Sequence, residues 1–224
     1  MTLRLTPLCA AGLLALTTGC AGSYTPIRPS KIATYISSPT SGPVALDYQF
    51  DVLRLRGGNK KYVKKEAKRG YHVAAVRVTN NWDREVNFSR DLTLLYGDRP
   101  ISPIPATVAA QDMKQGVFIY LLYLLLNPTV GGTSDPRTGA VSGGTIIPLG
   151  PFIALGNILG ASGANGNLRK EFEAHDLTNR TLKPGETVYG ILSLREVAVA
   201  PLRLEMRAAL PQPVPATAPA AAPR

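Results

Sequence analysis

The sequence predicts a mainly β domain, an antiparallel β-sandwich with an inserted apolar, glycine-rich helical hairpin. Three observations lead there. Apolar and polar residues alternate with a period of two over 44–52 and again over 202–207, as in strands with one dry and one wet face. Turn chemistry at Asn80-Asn81-Trp82-Asp83, Gly97-Asp98 and Lys183-Pro184-Gly185-Glu186 punctuates the chain at short intervals, with no repeating strand and helix units between. The middle of the chain breaks this pattern with a run, 117–126, that is apolar on every side.

Taken in order, the first strand sets Val44, Leu46, Tyr48, Phe50 and Val52 against Ala45, Asp47, Gln49 and Asp51. A short basic helix follows over 59–70, with Asn59 as its cap and Gly70 just past its end. Residues 73–79, 85–88 and 92–96 read as further strands. Beyond the Pro184-Gly185 turn, 187–194 is almost continuously apolar, which predicts a strand buried on both faces. The last strand points Leu202, Leu204 and Met206 one way and Arg203, Glu205 and Arg207 the other. An Asn-rich turn after one strand and a Pro-Gly-Glu turn before another resemble the immunoglobulin-like domains of many surface proteins, which implies an immunoglobulin-like sandwich.

The insertion is expected over about 111–176. Gln111, Asp112, Lys114 and Gln115 lead into the apolar run, Asn127-Pro128 ends it, and a glycine-rich link over 131–144 joins it to a second apolar stretch, 146–159, that grades into polar helix over 165–176. Gly156, Gly160 and Ala164 stand four apart and are expected on one helix face, where small side chains let another helix approach. Each interior glycine costs a helix about 0.5–1 kcal/mol, so close packing must compensate. Two readings of the hairpin, 117–164, stay open. In one it covers a face of the sandwich, because a run of this length is too short to span a bilayer and suits a buried core helix. In the other it touches lipid, with Tyr120 and Tyr123 at the interface.

At the N-terminus, Arg4 precedes an apolar stretch containing Leu8, Leu13, Leu14 and Leu16, then the small residues Thr17, Thr18 and Gly19. That order is a secretory leader, too short and too interrupted to span a membrane. The segment Leu16-Thr17-Thr18-Gly19-Cys20 resembles the lipobox of bacterial lipoproteins, with Thr17 where Leu is usual and Leu16 one place earlier. The resemblance implies cleavage before Cys20, acylation of its thiol, and, with Ala21 rather than Asp following, the outer membrane. Several acyl chains, each buried methylene contributing about 0.8 kcal/mol, hold such a protein firmly. The expected organisation is a leader over 1–19, a lipid-anchored flexible spacer over 20–42, one domain over 43–207, and a disordered Ala/Pro-rich tail over 208–224.

Composition narrows function by exclusion. The only cysteines are Cys9, in the leader, and Cys20, so the domain is expected to have no disulfide, thiol nucleophile or cysteine-ligated metal. Two histidines, His72 and His175, make a multi-histidine metal site improbable, and His175-Asp176 reads as a helix end. None of the common catalytic or nucleotide-binding motifs occurs, so neither a catalytic site nor a cofactor is expected. The net charge of +10 is concentrated in Arg54, Arg56, Lys60, Lys61, Lys64, Lys65, Lys68 and Arg69, opposed over that span only by Glu66. In an exported chain nucleic acid is not the expected partner. These cations are either a solvated helix face or a contact for anionic lipid or envelope polymer, at about 1 kcal/mol each near an anionic surface. A structural or interaction module is therefore expected, with a protein partner or self-association as further candidates, a membrane-active or oligomerising role of the hairpin 117–164 as the alternative, and an envelope hydrolase as the third reading.

Overall fold

The structure, a computed structural model, describes residues 21–39 and 42–207. The leader, Cys20 and the Ala/Pro-rich tail lie outside the described residues. In chain order the elements are β1 (Ile36–Ser37), β2 (Val44–Gln49), a helical turn α1 (Val52–Leu55), α2 (Lys60–Arg69), β3 (Tyr71–Asn80), β4 (Val86–Asn87), a second turn α3 (Phe88–Asp91), β5 (Leu92–Tyr96), β6 (Arg99–Ile101) and α4 (Ala106–Met113). A 3-10 run, Phe118–Leu125, then leads into a β-hairpin of two-residue ladders, β7 (Thr129–Val130) with β10 (Thr145–Ile146) and β8 (Thr133–Ser134) with β9 (Val141–Ser142). The long helix α5 (Leu149–Ala174) follows, then β11 (Thr181–Leu182), β12 (Thr187–Arg195) and β13 (Leu202–Met206).

Two antiparallel sheets enclose one core. The larger has the order β1-β2-β3-β12, the smaller β13-β5-β6, and β4 pairs separately with β11. On β2 and β3 the even-numbered Val44, Leu46, Tyr48, Ala74, Val76 and Val78 face Leu92, Leu94, Tyr96, Leu202 and Leu204 of the smaller sheet. The odd-numbered Val73 and Ala75, with Ile191 of β12, point the other way into a second core under a helical layer, against Tyr62, Ala109, Ala110, Met113, Leu168 and Phe172. The molecule is thus sheet on sheet on helix. Strands β3 and β12, paired from Tyr71 with Arg195 to Thr79 with Thr187, are covered on both faces. This is why both read as almost unbroken apolar runs. The outer edge of β12 is shielded in part by the segment before α4, whose Ile104 N–H donates to the Ser193 carbonyl at 2.8 Å.

Turn chemistry fixes the register. Gly185 takes φ 73°, a conformation open to glycine at no steric cost, and lets the Glu186 N–H reach the Lys183 carbonyl at 3.0 Å. Asn80, fully buried, donates to the carbonyls of Arg84, Leu182 and Lys183 at 2.8, 3.1 and 3.2 Å and accepts from the Trp82 N–H at 3.0 Å, stitching two turns together. Trp82 packs on its own hairpin beside the main core, with the Arg84 guanidinium 3.4 Å from its ring centre. Gly190 leaves room for Leu177, whose Cγ lies 2.4 Å from where a Cβ would stand.

Several elements differ from the expected ones. The first strand ends at Gln49, because Asp51 turns into the left-handed region (φ 57°) and Val52 enters α1. The strand expected over 85–88 is cut to Val86–Asn87, since the Asn87 side chain caps the α3 turn by accepting from the Arg90 N–H. Helix α2 ends at Gly70 as expected, but Asn59 does not cap it. The insertion begins earlier, at α4, and its apolar run is 3-10 rather than α-helical. Residues 21–39, expected as flexible spacer, include Ile27, which is buried in the second core.

Candidate functional site

The chain immediately after Cys20 is extended and lies in a trough of the helical layer. An extended segment off the sheets has no ladder to satisfy its backbone, so side chains must do it. The Ala21 N–H donates to Asn157 Oδ1 at 2.7 Å. Gln115 grips Gly22 on both sides, accepting from its N–H at 3.0 Å and donating to its carbonyl at 2.7 Å. Asn59 does the same for Thr25, at 2.8 and 2.9 Å, which is where its side chain is spent instead of on a cap. The Glu171 carboxylate accepts from the Tyr24 hydroxyl at 2.5 Å and from the N–H groups of Ile27 and Arg28 at 2.9 and 2.8 Å. Burial, followed by the bond to Glu171, pushes the Tyr24 phenol far above its ordinary pKa. The gripping amides Asn59, Gln115 and Asn157 are themselves buried, and Asn165 holds the Gln115 backbone by two further bonds. Glycines make the fit close: a Cβ on Gly58 would lie 2.2 Å from Thr25 Oγ1.

Beside this strap stands an apolar lobe. From Gln115 to Leu168 the only charged residues are Asp135 and Arg137, at the hairpin tip, where the Asp135 carboxylate accepts from the Arg137 N–H at 2.8 Å. The 3-10 run lies across the first turns of α5, so close that a Cβ on Gly150 would be 2.3 Å from the Tyr123 carbonyl. Its outer side is bare: Phe118 is 81 % exposed and Leu125 83 %, joined by Ile119, Leu122 and Leu126. Helix α5 continues the surface with Phe152 (67 %), Leu155 and Leu159. The 3-10 run therefore does not cover the sandwich, whereas α5 does so beyond the run, through Ala164, Leu168 and Phe172. Only Tyr120 of the run is buried; its hydroxyl accepts from Lys61 Nζ at 2.7 Å, and the same ammonium lies 5.2 Å from its ring centre.

The expected helix-packing residues divide. Ala164 is buried, but Gly156 and Gly160 are exposed. The reason is geometric: a spacing of four drifts about 40° around a helix per step, so Gly156 and Ala164 are about 80° apart. The buried stripe of α5 is Gly150, Ala154, Asn157, Ala161, Ala164, Leu168 and Phe172, which mixes steps of three and four. Gly160 borders the strap instead, where a Cβ would lie 3.3 Å from that of Ala21.

The eight cations divide likewise. Lys60 and Lys61 line a cleft of about 350 Å³ with Ala21, Gly22, Ser23, Gly57 and Gly58. Arg56 donates to the Ile27 carbonyl at 3.2 Å, bracing the strap. Arg54 and Lys64 are exposed and Lys65 half-buried, while Lys68 and Arg69 sit at the far end of α2, about 12 Å along its axis. Glu66, the lone acid, is buried and accepts from the Val73 N–H at 2.8 Å. Burial pushes its carboxyl up to about 7, the Val73 bond opposing, with Asp51 raising and Arg54 lowering it further.

Sequence reasoning missed the strap and a second cluster, at the end of the larger sheet where Tyr71 pairs with Arg195. There Arg195 reaches Asp112 at 2.7 Å and Tyr71 at 2.9 Å, while the Tyr71 hydroxyl donates to Asp112 at 2.8 Å, tying α4 to the sheet. His175 ends α5, its Nδ1 3.0 Å from the Glu171 carbonyl. Among the described residues no group of three or more His, Cys, Asp or Glu could hold a metal ion, and no helix is long and apolar enough to cross a membrane. No family model, curated protein or solved structure matches the chain.

Proposed function

We propose that the chain is a lipid-anchored envelope lipoprotein of the outer membrane, acting as a structural or interaction module rather than an enzyme, with its apolar lobe in contact with lipid. The observation that carries this reading is the bare lobe itself, a surface of large aliphatic and aromatic side chains reaching from Phe118 to Leu159 and standing directly beside the residue that follows Cys20. Water-facing domains rarely leave so large an apolar patch without a partner. Anionic lipid or an envelope polymer is the ligand class that suits the exposed cations of α2. The two facing sheets fit the immunoglobulin-like resemblance, to which the helical layer and lobe are additions.

Self-association is the second reading, favoured by the exposed Gly156 among Phe152, Leu155 and Leu159, since small residues let helices approach closely in lipid. The anchor is tested by metabolic labelling: radiolabelled palmitate is expected on the wild-type chain and absent from Cys20→Ser, and absence from both contradicts the reading. Particle size in detergent and dye leakage from vesicles separate the two arrangements. A monomer that leaves vesicles sealed fits simple membrane contact, whereas a discrete oligomer fits self-association.

A further inference from the structure

Residues 21–28, expected as part of a flexible spacer, are hydrogen-bonded along their length to side chains of the helical layer. A flexible link of about 20 residues would place a domain on the order of 25 Å from its anchor, free to turn. Here the first residue after Cys20 already gives its N–H to Asn157 of α5, and Gly22 is gripped by Gln115. The acylation position is therefore covalently joined to a backbone fixed against the lobe. The same point borders the cations, because Ala21, Gly22 and Ser23 share a cleft with Lys60 and Lys61, and Lys61 in turn bonds to Tyr120 of the apolar run.

We infer that anchor, lobe and the Lys60–Lys64 end of α2 form one docking face that seats in a single orientation in the leaflet holding the acyl chains, lobe in hydrocarbon and lysines against anionic headgroups. The inference rests on the lipoprotein reading and deepens it. Three observations favour a leaflet as the occupant. Ala21, the neighbour of Cys20, lies at the edge of the lobe, the lobe carries charge only at its hairpin tip, and an exposed cationic helix face adjoins the apolar surface as a headgroup layer adjoins hydrocarbon.

The mature chain has no cysteine besides Cys20, so single introduced cysteines can be spin-labelled on the acylated, vesicle-bound protein. Labels at Leu125→Cys and Phe152→Cys are expected to be quenched by a lipid-soluble relaxant and shielded from an aqueous one. A label at Lys64→Cys should respond to both, and one at Val197→Cys only to the aqueous reagent. Aqueous access at positions 125 and 152 on a chain that does carry palmitate overturns the inference and leaves the lipoprotein reading standing; a chain without palmitate overturns the lipoprotein reading itself. Shielding of 125 and 152 from both reagents, with spin–spin broadening between copies, overturns it in favour of a second copy as the occupant. For the headgroup contact, the doubly reversed Lys60→Glu, Lys64→Glu chain, made as residues 20–224 with Cys20→Ser to remove leader and anchor, is expected to lose tenfold or more affinity for vesicles containing anionic phospholipid and little for neutral ones. An equal loss on both, or none, overturns that contact.

Discussion

Glu66 is the residue whose chemistry can be read most directly in solution. Its carboxyl, held near 7 by burial against about 4.3 in an unfolded chain, keeps its proton longer in the folded state than in the unfolded one. The favourable contribution is therefore complete below about pH 4.3 and is lost as pH rises through 7, up to the order of 3 kcal/mol. Urea midpoints of the wild-type chain should fall between pH 5 and pH 8, and Glu66→Gln should flatten that fall by keeping an acceptor for the Val73 N–H without the charge. A wild-type and a variant with the same pH dependence would contradict the assignment. Asp47, Asp91 and Glu186 shift the other way: Arg90 chiefly lowers Asp91, the Lys183 N–H and Arg180 lower Glu186, and Ser37 and Arg77 lower Asp47 against its partial burial. Their stabilisation is lost only as pH falls below the ordinary carboxylate range, outside the window used for Glu66. Asn80→Ala strands three turn carbonyls and the Trp82 N–H, and is expected to cost about 2–3 kcal/mol by the same measurement.

At the scale of elements, α5 holds glycines of opposite kinds. A Cβ on Gly163 meets nothing within 4 Å, so Gly163→Ala should raise stability by about 0.5–1 kcal/mol through helix entropy alone. A Cβ on Gly150 would overlap the backbone carbonyls of Tyr123 and Leu124, so Gly150→Ala must displace the 3-10 run, and limited proteolysis should cut within 117–126 sooner than in wild type. Unchanged cleavage would mean that the run is not held on α5. The same contrast shows what the sequence could tell. Period-two alternation placed β2 and β13 closely and an almost unbroken apolar run after a turn placed β12, because a strand between one dry and one wet layer or between two dry layers leaves its mark in the order of residues. The strap left no such mark: its partners Asn59, Gln115, Asn157 and Glu171 lie 34 to 147 positions away and are ordinary polar residues until folding brings them together. Gly156 and Gly160 misled because even spacing in sequence is not a straight line on a helix.

For the molecule as a whole, the apolar run was visible in the sequence but its side was not, since a buried core helix and a bare lipid-facing one have the same composition. Only the arrangement decides, by filling the second core with Tyr62, Met113, Leu168 and Phe172 and leaving Phe118, Leu125 and Phe152 outside it. The two sheets, the helical layer and the strap then become a frame that presents one apolar face beside Ala21, next to the proposed anchor at Cys20. Flotation of the leader-free Cys20→Ser chain, residues 20–224, with vesicles containing anionic phospholipid tests this most directly, because it asks whether the lobe finds lipid without the acyl chains. The chain should rise with the vesicles, and Phe118→Asp with Leu125→Asp should leave it at the bottom of the gradient while its unfolding midpoint stays unchanged. An unmodified lobe that remains at the bottom with the folded protein would contradict the account.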